Sequence, residues 1–199
     1  MKKLTIMVSL ALIAWTAGAQ HEHSQMSDMG KEKSTMNTEK ENKGKMDLKI
    51  FVQNSSSAKG VIDNYLSLEN ALSADDGKEA AASGKALYAA LSKIDPSQAK
   101  SRQKQLSDIL ADAKENAEHI SKNGNDIAHQ REHFSILGND IKDLITITGS
   151  DRTLYQIFCP MANNHEGAIW LNDSRKINNP YFGHKMPSCG SVQQEILLK

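Results

Sequence analysis

The 199-residue sequence is poor in cysteine and in aromatic side chains, with two Cys residues and 5% Phe, Trp and Tyr. Few aromatics beside a hydrophobic fraction of 39% favour a helical core built from Ala and Leu over a β-sandwich. The formal net charge is zero, which disfavours nucleic acid as a partner. The sequence also lacks a G-x-S-x-G elbow, a Gly-rich phosphate loop and a dinucleotide fingerprint. We therefore expect no enzymatic activity.

Long hydrophobic runs are absent except near the N-terminus, where the pattern is typical of an export signal. Lys2 and Lys3 precede an apolar stretch at 4–15, and Ala17-Gly18-Ala19 has the small residues of a cleavage site. The stretch is too short to cross a bilayer. We predict a signal peptide at 1–19, no membrane insertion after its cleavage, and a periplasmic or secreted protein in a compartment that permits disulfides.

Residues 20–47 contain no Leu, Ile, Val, Phe, Tyr or Trp, so this segment is predicted to be a disordered tail. Its conspicuous side chains are thioethers and imidazoles: His21, His23, Met26, Met29, Met36 and Met46. Two interpretations stay open. The tail is either a solvated linker or a collector of soft ions, because Met and His hold Cu(I) or Ag(I).

Residues 57–148 carry a helical pattern of apolar residues in four segments. Val61, Tyr65, Leu68 and Leu72 form the stripe of the first. Breaks occur at Asp75-Asp76-Gly77, at Asp95-Pro96 and at Asn123-Gly124-Asn125. At the first two, Asp76 with Glu79 and Asp95 with Pro96 are suited to start the next helix. Short turns between similar segments predict a mainly α fold, with an antiparallel four-helix bundle at 48–149.

Residues 150–199 differ from the helical segments in their pattern of residues. Leu154 to Phe158 and Ala168 to Leu171 are short β-prone runs separated by turn-forming residues. The following stretch is dense in Asn, Pro and Gly. We predict a small C-terminal β-hairpin and loop cap that packs on one end of the bundle.

His129 and His133 are four residues apart in the fourth segment, which places both imidazoles on one helix face. This spacing allows both rings to reach one metal ion. The H-E-x-x-H motif of a metalloprotease is absent, because position 130 is Gln. The alternative is that both are ordinary histidines on the helix surface.

The cap carries two pairs of sulfur residues, Cys159 with Met161 and Met186 with Cys189. Two cysteines in an exported chain commonly form a disulfide, which here would stabilise the fold by roughly 3 to 4 kcal/mol. Thiolates and thioethers are also the ligands that select Cu(I) or Ag(I). Both interpretations stay open. His119, His165 and His184 are candidate supplements to a metal site.

Three segments resemble a bacterial helical domain family of unknown function. They are IAHQREHF at 127–134, FCPMANNHEGAIWL at 158–171 and NNPYFGHKMPSCGSV at 178–192. Members are found secreted, or fused to the periplasmic adaptor subunit of Cus-type copper/silver efflux systems or to heavy-metal-associated domains. The resemblance implies periplasmic heavy-metal handling. The residues that match its motifs are His129, His133, Cys159, Met161, Met186 and Cys189.

The leading hypothesis is a periplasmic accessory protein that binds copper or silver and sequesters the ion or delivers it to an efflux adaptor. The predicted site is a mixed one, with the cap sulfurs and the two histidines of the fourth helix meeting at one end of the bundle. The alternative is a disulfide-stabilised envelope interaction module that binds no metal. A metal-dependent enzyme is disfavoured, because no carboxylate occupies the position of a general base.

Overall fold

The structure is a computed structural model, and it describes residues 48–199. The predicted signal peptide at 1–19 and the predicted tail at 20–47 lie outside the described residues. The helices and strands, in chain order, are β1 Leu48–Val52, α1 Lys59–Ser73, α2 Gly77–Leu91, α3 Gln103–Lys122, α4 Ile127–Thr148, β2 Leu154–Cys159, β3 Ala168–Asn172 and β4 Ser191–Leu198. None of the helices in this part of the chain has the length and apolar character needed to cross a membrane.

The four predicted helices are confirmed, and local chemistry explains where they begin. Asp76 caps α2 by accepting hydrogen bonds from the backbone N–H groups of Lys78 and Glu79, at 3.1 and 2.9 Å. Asp126 caps α4 in the same way. The Asp95-Pro96 signal behaves differently from the prediction, because it opens a 3₁₀ helix at Pro96–Arg102 and α3 begins only afterwards.

The C-terminal region is a four-stranded sheet rather than a small hairpin. The predicted hairpin is present, since β2 and β3 pair antiparallel. β4 pairs antiparallel with β2, and β1 pairs parallel with β4, which gives the order β1-β4-β2-β3. β1 comes from the start of the segment predicted as helical. Its pairing covers the backbone of β4, which would otherwise be an open edge.

The helices pack in sequence, α1 with α2, α2 with α3 and α3 with α4, and α4 also packs on β3. An aromatic cluster joins these layers. Phe134 of α4 stacks on Tyr65 of α1 at 5.2 Å between ring centroids and contacts Tyr181 at 5.8 Å. Tyr181 meets Trp170 of β3 edge-on at 5.9 Å. Burial of these rings attaches the sheet to the helices.

Arg131 of α4 ties the loop before β4 to the helices. Its guanidinium donates to the carbonyl oxygens of Pro180 and Leu72, at 2.7 and 2.8 Å, and pairs with Asp75 at 2.5 Å. The Asp75 carboxylate also accepts from the backbone N–H of His184 at 3.0 Å. The Arg131 and His184 hydrogen bonds lower the pKa of Asp75 well below its ordinary value. The chain near Met186 is thereby held beside the N-terminal half of α4.

The close contact between α4 and β3 depends on Gly138. A Cβ atom at this position would lie 2.7 Å from the backbone carbonyl oxygen of Ile169. Ala is normally the better helix former by about 1 kcal/mol. Here that gain is opposed by a clash with the backbone of a paired strand, which has little room to move.

We expect Gly138→Ala to lower the free energy of unfolding by about 1 to 3 kcal/mol, the range of overpacking strain. Gly60→Ala is the matched control, since a Cβ in that helix meets its first neighbour, Ala90 Cβ, at 3.9 Å. That change should raise stability by up to about 1 kcal/mol. Urea unfolding of both variants provides the comparison, and equal effects would contradict the proposed clash.

Candidate metal centre

Three histidines cluster where α3 ends and α4 begins. The turn at 123–126 reverses the chain, so the last turn of α3 lies beside the first turns of α4. His119 stacks on His133 with 4.3 Å between ring centroids, and His129 meets His133 edge-on at 4.6 Å. The ligand nitrogens of the three rings lie within 4.8 Å of one another. Among residues 48–199, this is the one group of three or more His, Cys, Asp or Glu side chains close enough to share a metal ion.

The ring of His133 is oriented by Asn116 of α3. Nδ2 of Asn116 donates to the backbone carbonyl of Asp112 at 2.9 Å, which leaves its Oδ1 facing Nδ1 of His133 at 2.9 Å. An amide oxygen only accepts, so the His133 proton resides on Nδ1 and the lone pair on Nε2. Metal-binding histidines characteristically donate their second ring N–H to such an oxygen. His133 therefore presents the tautomer of a ligand.

The surroundings also favour an uncharged ring at His133. Its partial burial and the neighbouring His119 and His129 lower the pKa of His133 below the ordinary 6.5. A neutral imidazole is the form that binds a cation. Nδ1 of His129 lies 3.5 Å from the Glu132 carboxylate, which places a negative charge beside the cluster.

Gln130 supports the cluster from the core side of α4. Its side chain is buried and donates through Nε2 to the carbonyl oxygens of Gly77 and Ile120, at 2.9 and 3.2 Å. These bonds attach the first turn of α4 to α2 and to the end of α3. The residue at the position of a metalloprotease Glu therefore points into the core, away from the imidazole face.

The cluster fits a small transition-metal ion after a modest closure. Tetrahedral bonds of about 2.0 to 2.1 Å place two ligand nitrogens about 3.4 Å apart, somewhat nearer than the 4.8 Å limit here. His119 is exposed and His129 half-buried, so rotation about their side-chain bonds is sterically open. A fourth coordination position would face solvent. Imidazole ligands suit Cu, Zn, Ni or Fe, whereas Mg and Ca prefer oxygen ligands.

Residues 61–153 match a family model described as "Protein of unknown function (DUF3347)". The chain contains a DUF3347 domain. The matched segment includes nearly all of α1 and the whole of α2, α3 and α4, so the three histidines lie inside the DUF3347 domain. Most of the sheet, with both cysteines, lies beyond it. Comparison with curated proteins and comparison with solved structures gave no match.

The sulfur residues of the predicted site lie elsewhere in the structure. Cys159 ends β2 and is buried, Cys189 precedes β4 and is half-buried, and both thiols are free. Burial and the nearby Cys159 raise the pKa of the Cys189 thiol to about 11. Neither cysteine belongs to the histidine group. The predicted mixed site is thus divided between two places.

Met161 and Met186 line one cleft, of about 400 Å³, between the N-terminal half of α4 and the cap. His165 lines it too, whereas His184 instead contacts Asp75 through Nδ1 at 2.8 Å. Ala128, Arg131 and Ser135 supply the helix side of the cleft. His129 and His133 face α3, so the cleft and the histidine cluster lie on different sides of α4.

His119 is the member of the cluster that the sequence alone indicated only weakly. It lies ten residues before His129, a spacing that matches no local motif. The chain reversal at 123–126 indicates that His119 belongs to the cluster. Residues at equal distances on either side of a turn between two antiparallel helices face one another. Counting outward from that turn pairs His119 with the stretch between His129 and His133.

Proposed function

We propose that this protein binds copper outside the cytoplasm, with His119, His129 and His133 as ligands, and sequesters the ion or delivers it to an efflux system. The observation that carries the proposal is the orientation of His133 by Asn116, which directs Nε2 into a group of three imidazoles. Within the divalent series, copper binds such nitrogen ligands most tightly.

The surroundings of the cluster favour transfer of the bound ion to another protein over its permanent retention. The ligands lie at the exposed end of the α3–α4 hairpin, which we take to be one end of an antiparallel four-helix bundle. An acceptor protein can approach an exposed three-ligand ion and replace its ligands one at a time. The choice of an efflux adaptor as acceptor, and of the periplasm as location, comes from the sequence resemblance and the N-terminal export pattern.

We expect His133→Ala to weaken Cu(II) binding at least tenfold, about 1.4 kcal/mol. Calorimetric titration of the purified protein with Cu(II) measures this. Because His21 and His23 in the tail also offer imidazoles, all variants carry His21→Ala and His23→Ala. His165→Ala is the matched control, since His165 is exposed and outside the cluster, and it should leave the affinity unchanged.

The contribution of Asn116 separates an organised site from a chance group of histidines. Asn116→Ala should cost ten- to a hundredfold in affinity, as is common for groups that orient a ligand. Asn116→Asp keeps an oxygen acceptor and should retain most of the binding. Unchanged Cu(II) binding after removal of all three histidines would contradict the proposal. Absence of Cu(II) binding by the natural protein would contradict it as well, and would favour an envelope interaction module that binds no metal.

A further inference from the structure

The two cysteines are brought together by strand pairing. β2 and β4 are antiparallel neighbours, and their register pairs Phe158 with Ser191 at the end where β2 finishes and β4 begins. Cys159 is the next residue of β2, opposite Gly190, and Cys189 directly precedes Gly190, so the pairing brings the two cysteines near one another. Asn179 fixes the second of them by donating to the carbonyl oxygen of Cys189 at 2.7 Å.

Both methionines lie near this thiol pair. Met161 is two residues beyond Cys159, and its backbone is close to the Cys189 sulfur. The Cys189 N–H donates to the carbonyl oxygen of Met186 at 3.3 Å. The two methionines line the same cleft, and Met161 is exposed at its surface. Four sulfur side chains from separate stretches of sequence therefore lie around one corner of the cap.

We propose that Cys159 and Cys189, assisted by the thioethers of Met161 and Met186, form a second metal site that takes Cu(I) or Ag(I) and is separate from the histidine cluster. It does not depend on the proposed copper binding at the histidines, because the ligands, the location and the preferred oxidation state all differ.

The ligand chemistry selects a soft monovalent ion. Within residues 48–199, no imidazole or carboxylate joins the two thiols in a group of three or more, so Zn(II) would find only two ionisable ligands instead of the usual four. Cu(I) and Ag(I) accept few ligands and favour sulfur. An arriving ion displaces the thiol protons to solvent, and the resulting thiolates bind it.

The arrangement also supplies a route for the ion. Cys159 is buried and Cys189 is half-buried, whereas Met161 is 42% exposed. A large apolar side chain gains nothing from such exposure, but a thioether at the cleft surface can take up an ion. Transfer inward to the thiol pair then exchanges a weak neutral ligand for stronger anionic ones.

The test is a Cu(I) titration of the reduced, purified protein in competition with excess bicinchoninate, with thiolate-to-copper absorption in the ultraviolet as a second readout. We expect Cys159→Ser with Cys189→Ser to lose the absorption band and at least tenfold in Cu(I) affinity. Met161→Leu with Met186→Leu keeps side-chain volume and should keep the band while weakening binding. The tail thioethers are present in every variant, so their contribution cancels.

The variant without His119, His129 and His133 is the matched control. It should keep the band and the Cu(I) affinity, whereas Zn(II) binding should fall in this variant and persist in the cysteine variant. Failure of one site is thereby distinguished from failure of the other. If Cys159→Ser does not fold, Cys189→Ser and protection of both wild-type thiols from alkylation by one equivalent of Ag(I) test the same site.

Three results would overturn this second site. The first is unchanged Cu(I) affinity in the cysteine variants. The second is a thiolate band that disappears with the histidines, which would indicate one mixed site. The third is a Cys159–Cys189 disulfide that resists reductant in freshly isolated protein, because a disulfide has no thiolate to offer.

Discussion

Phe134→Ala is expected to lower the free energy of unfolding by about 3 to 5 kcal/mol. The ring is fully buried and contacts Tyr65 and Tyr181, so its removal leaves a cavity where α1, α4 and the loop before β4 meet. Those neighbours cannot collapse into the space easily, because the Tyr65 hydroxyl accepts a hydrogen bond from the Leu171 N–H and Tyr181 donates to the Ile169 carbonyl. Chemical denaturation measures the loss.

Ile136→Ala is the control for this change, since Ile136 lies two residues away on the same helix and is 52% exposed. Its effect should stay within about 0.5 kcal/mol, as for other surface substitutions. A loss below about 1 kcal/mol for Phe134→Ala would show that the aromatic cluster does not hold the sheet to the helices.

Glu69→Gln is expected to abolish most of a decline in stability that the natural protein shows as the pH rises from about 4.5 to 8. Glu69 of α1 is fully buried, and burial raises the pKa of its carboxyl from 4.5 to about 8. Hydrogen bonds from Ser73 and Asn172 oppose the shift, and the nearby charge of Asp173 adds to it. The folded protein thus holds a proton that the unfolded chain releases in this range.

The direction of this pH dependence follows from the number of protons that each state binds. Where the folded state binds more protons than the unfolded state, raising the pH favours unfolding, so the raised pKa of Glu69 costs stability on the order of several kcal/mol by pH 8. Gln keeps both the shape and an oxygen acceptor and carries no charge. The difference in unfolding free energy between Glu69→Gln and the natural protein should therefore grow in favour of Gln with pH.

Asp75 does not confuse this measurement, because its pKa is lowered and its contribution changes only below the ordinary value of 3.8. Glu115→Gln is the control, since Glu115 is exposed on α3. It should leave the pH profile unchanged. A parallel profile for Glu69→Gln and the natural protein would show that Glu69 is charged in the fold.

The helices were predictable because their determinants are local. The stripe of Val61, Tyr65, Leu68 and Leu72 is buried as its spacing indicates, and the Asp76 cap acts on residues two and three positions away. The exception is Asp95-Pro96. Its local signal for a helix start is correct, but the signal does not distinguish a 3₁₀ turn from an α-helix.

The sheet was only half predictable for the opposite reason. β2 and β3 are consecutive and carry turn residues between them, so their hairpin is visible in the sequence. β1 pairs with β4 from the far end of the described chain, with Leu48 opposite Gln194. No short window contains both strands, so neither their pairing nor its parallel direction leaves a local pattern.

The same distinction between local and long-range determinants applies to the candidate ligands. The sequence by itself determined which side chains have metal chemistry and that His129 and His133 share a helix face, because a period of 3.6 residues places i and i+4 together. Only the tertiary structure decided the grouping. The α3–α4 hairpin adds His119 to the imidazoles, and the pairing of β2 with β4 brings Cys159 near Cys189. Those contacts depend on the packing of helices and strands, which spacing along the chain does not encode.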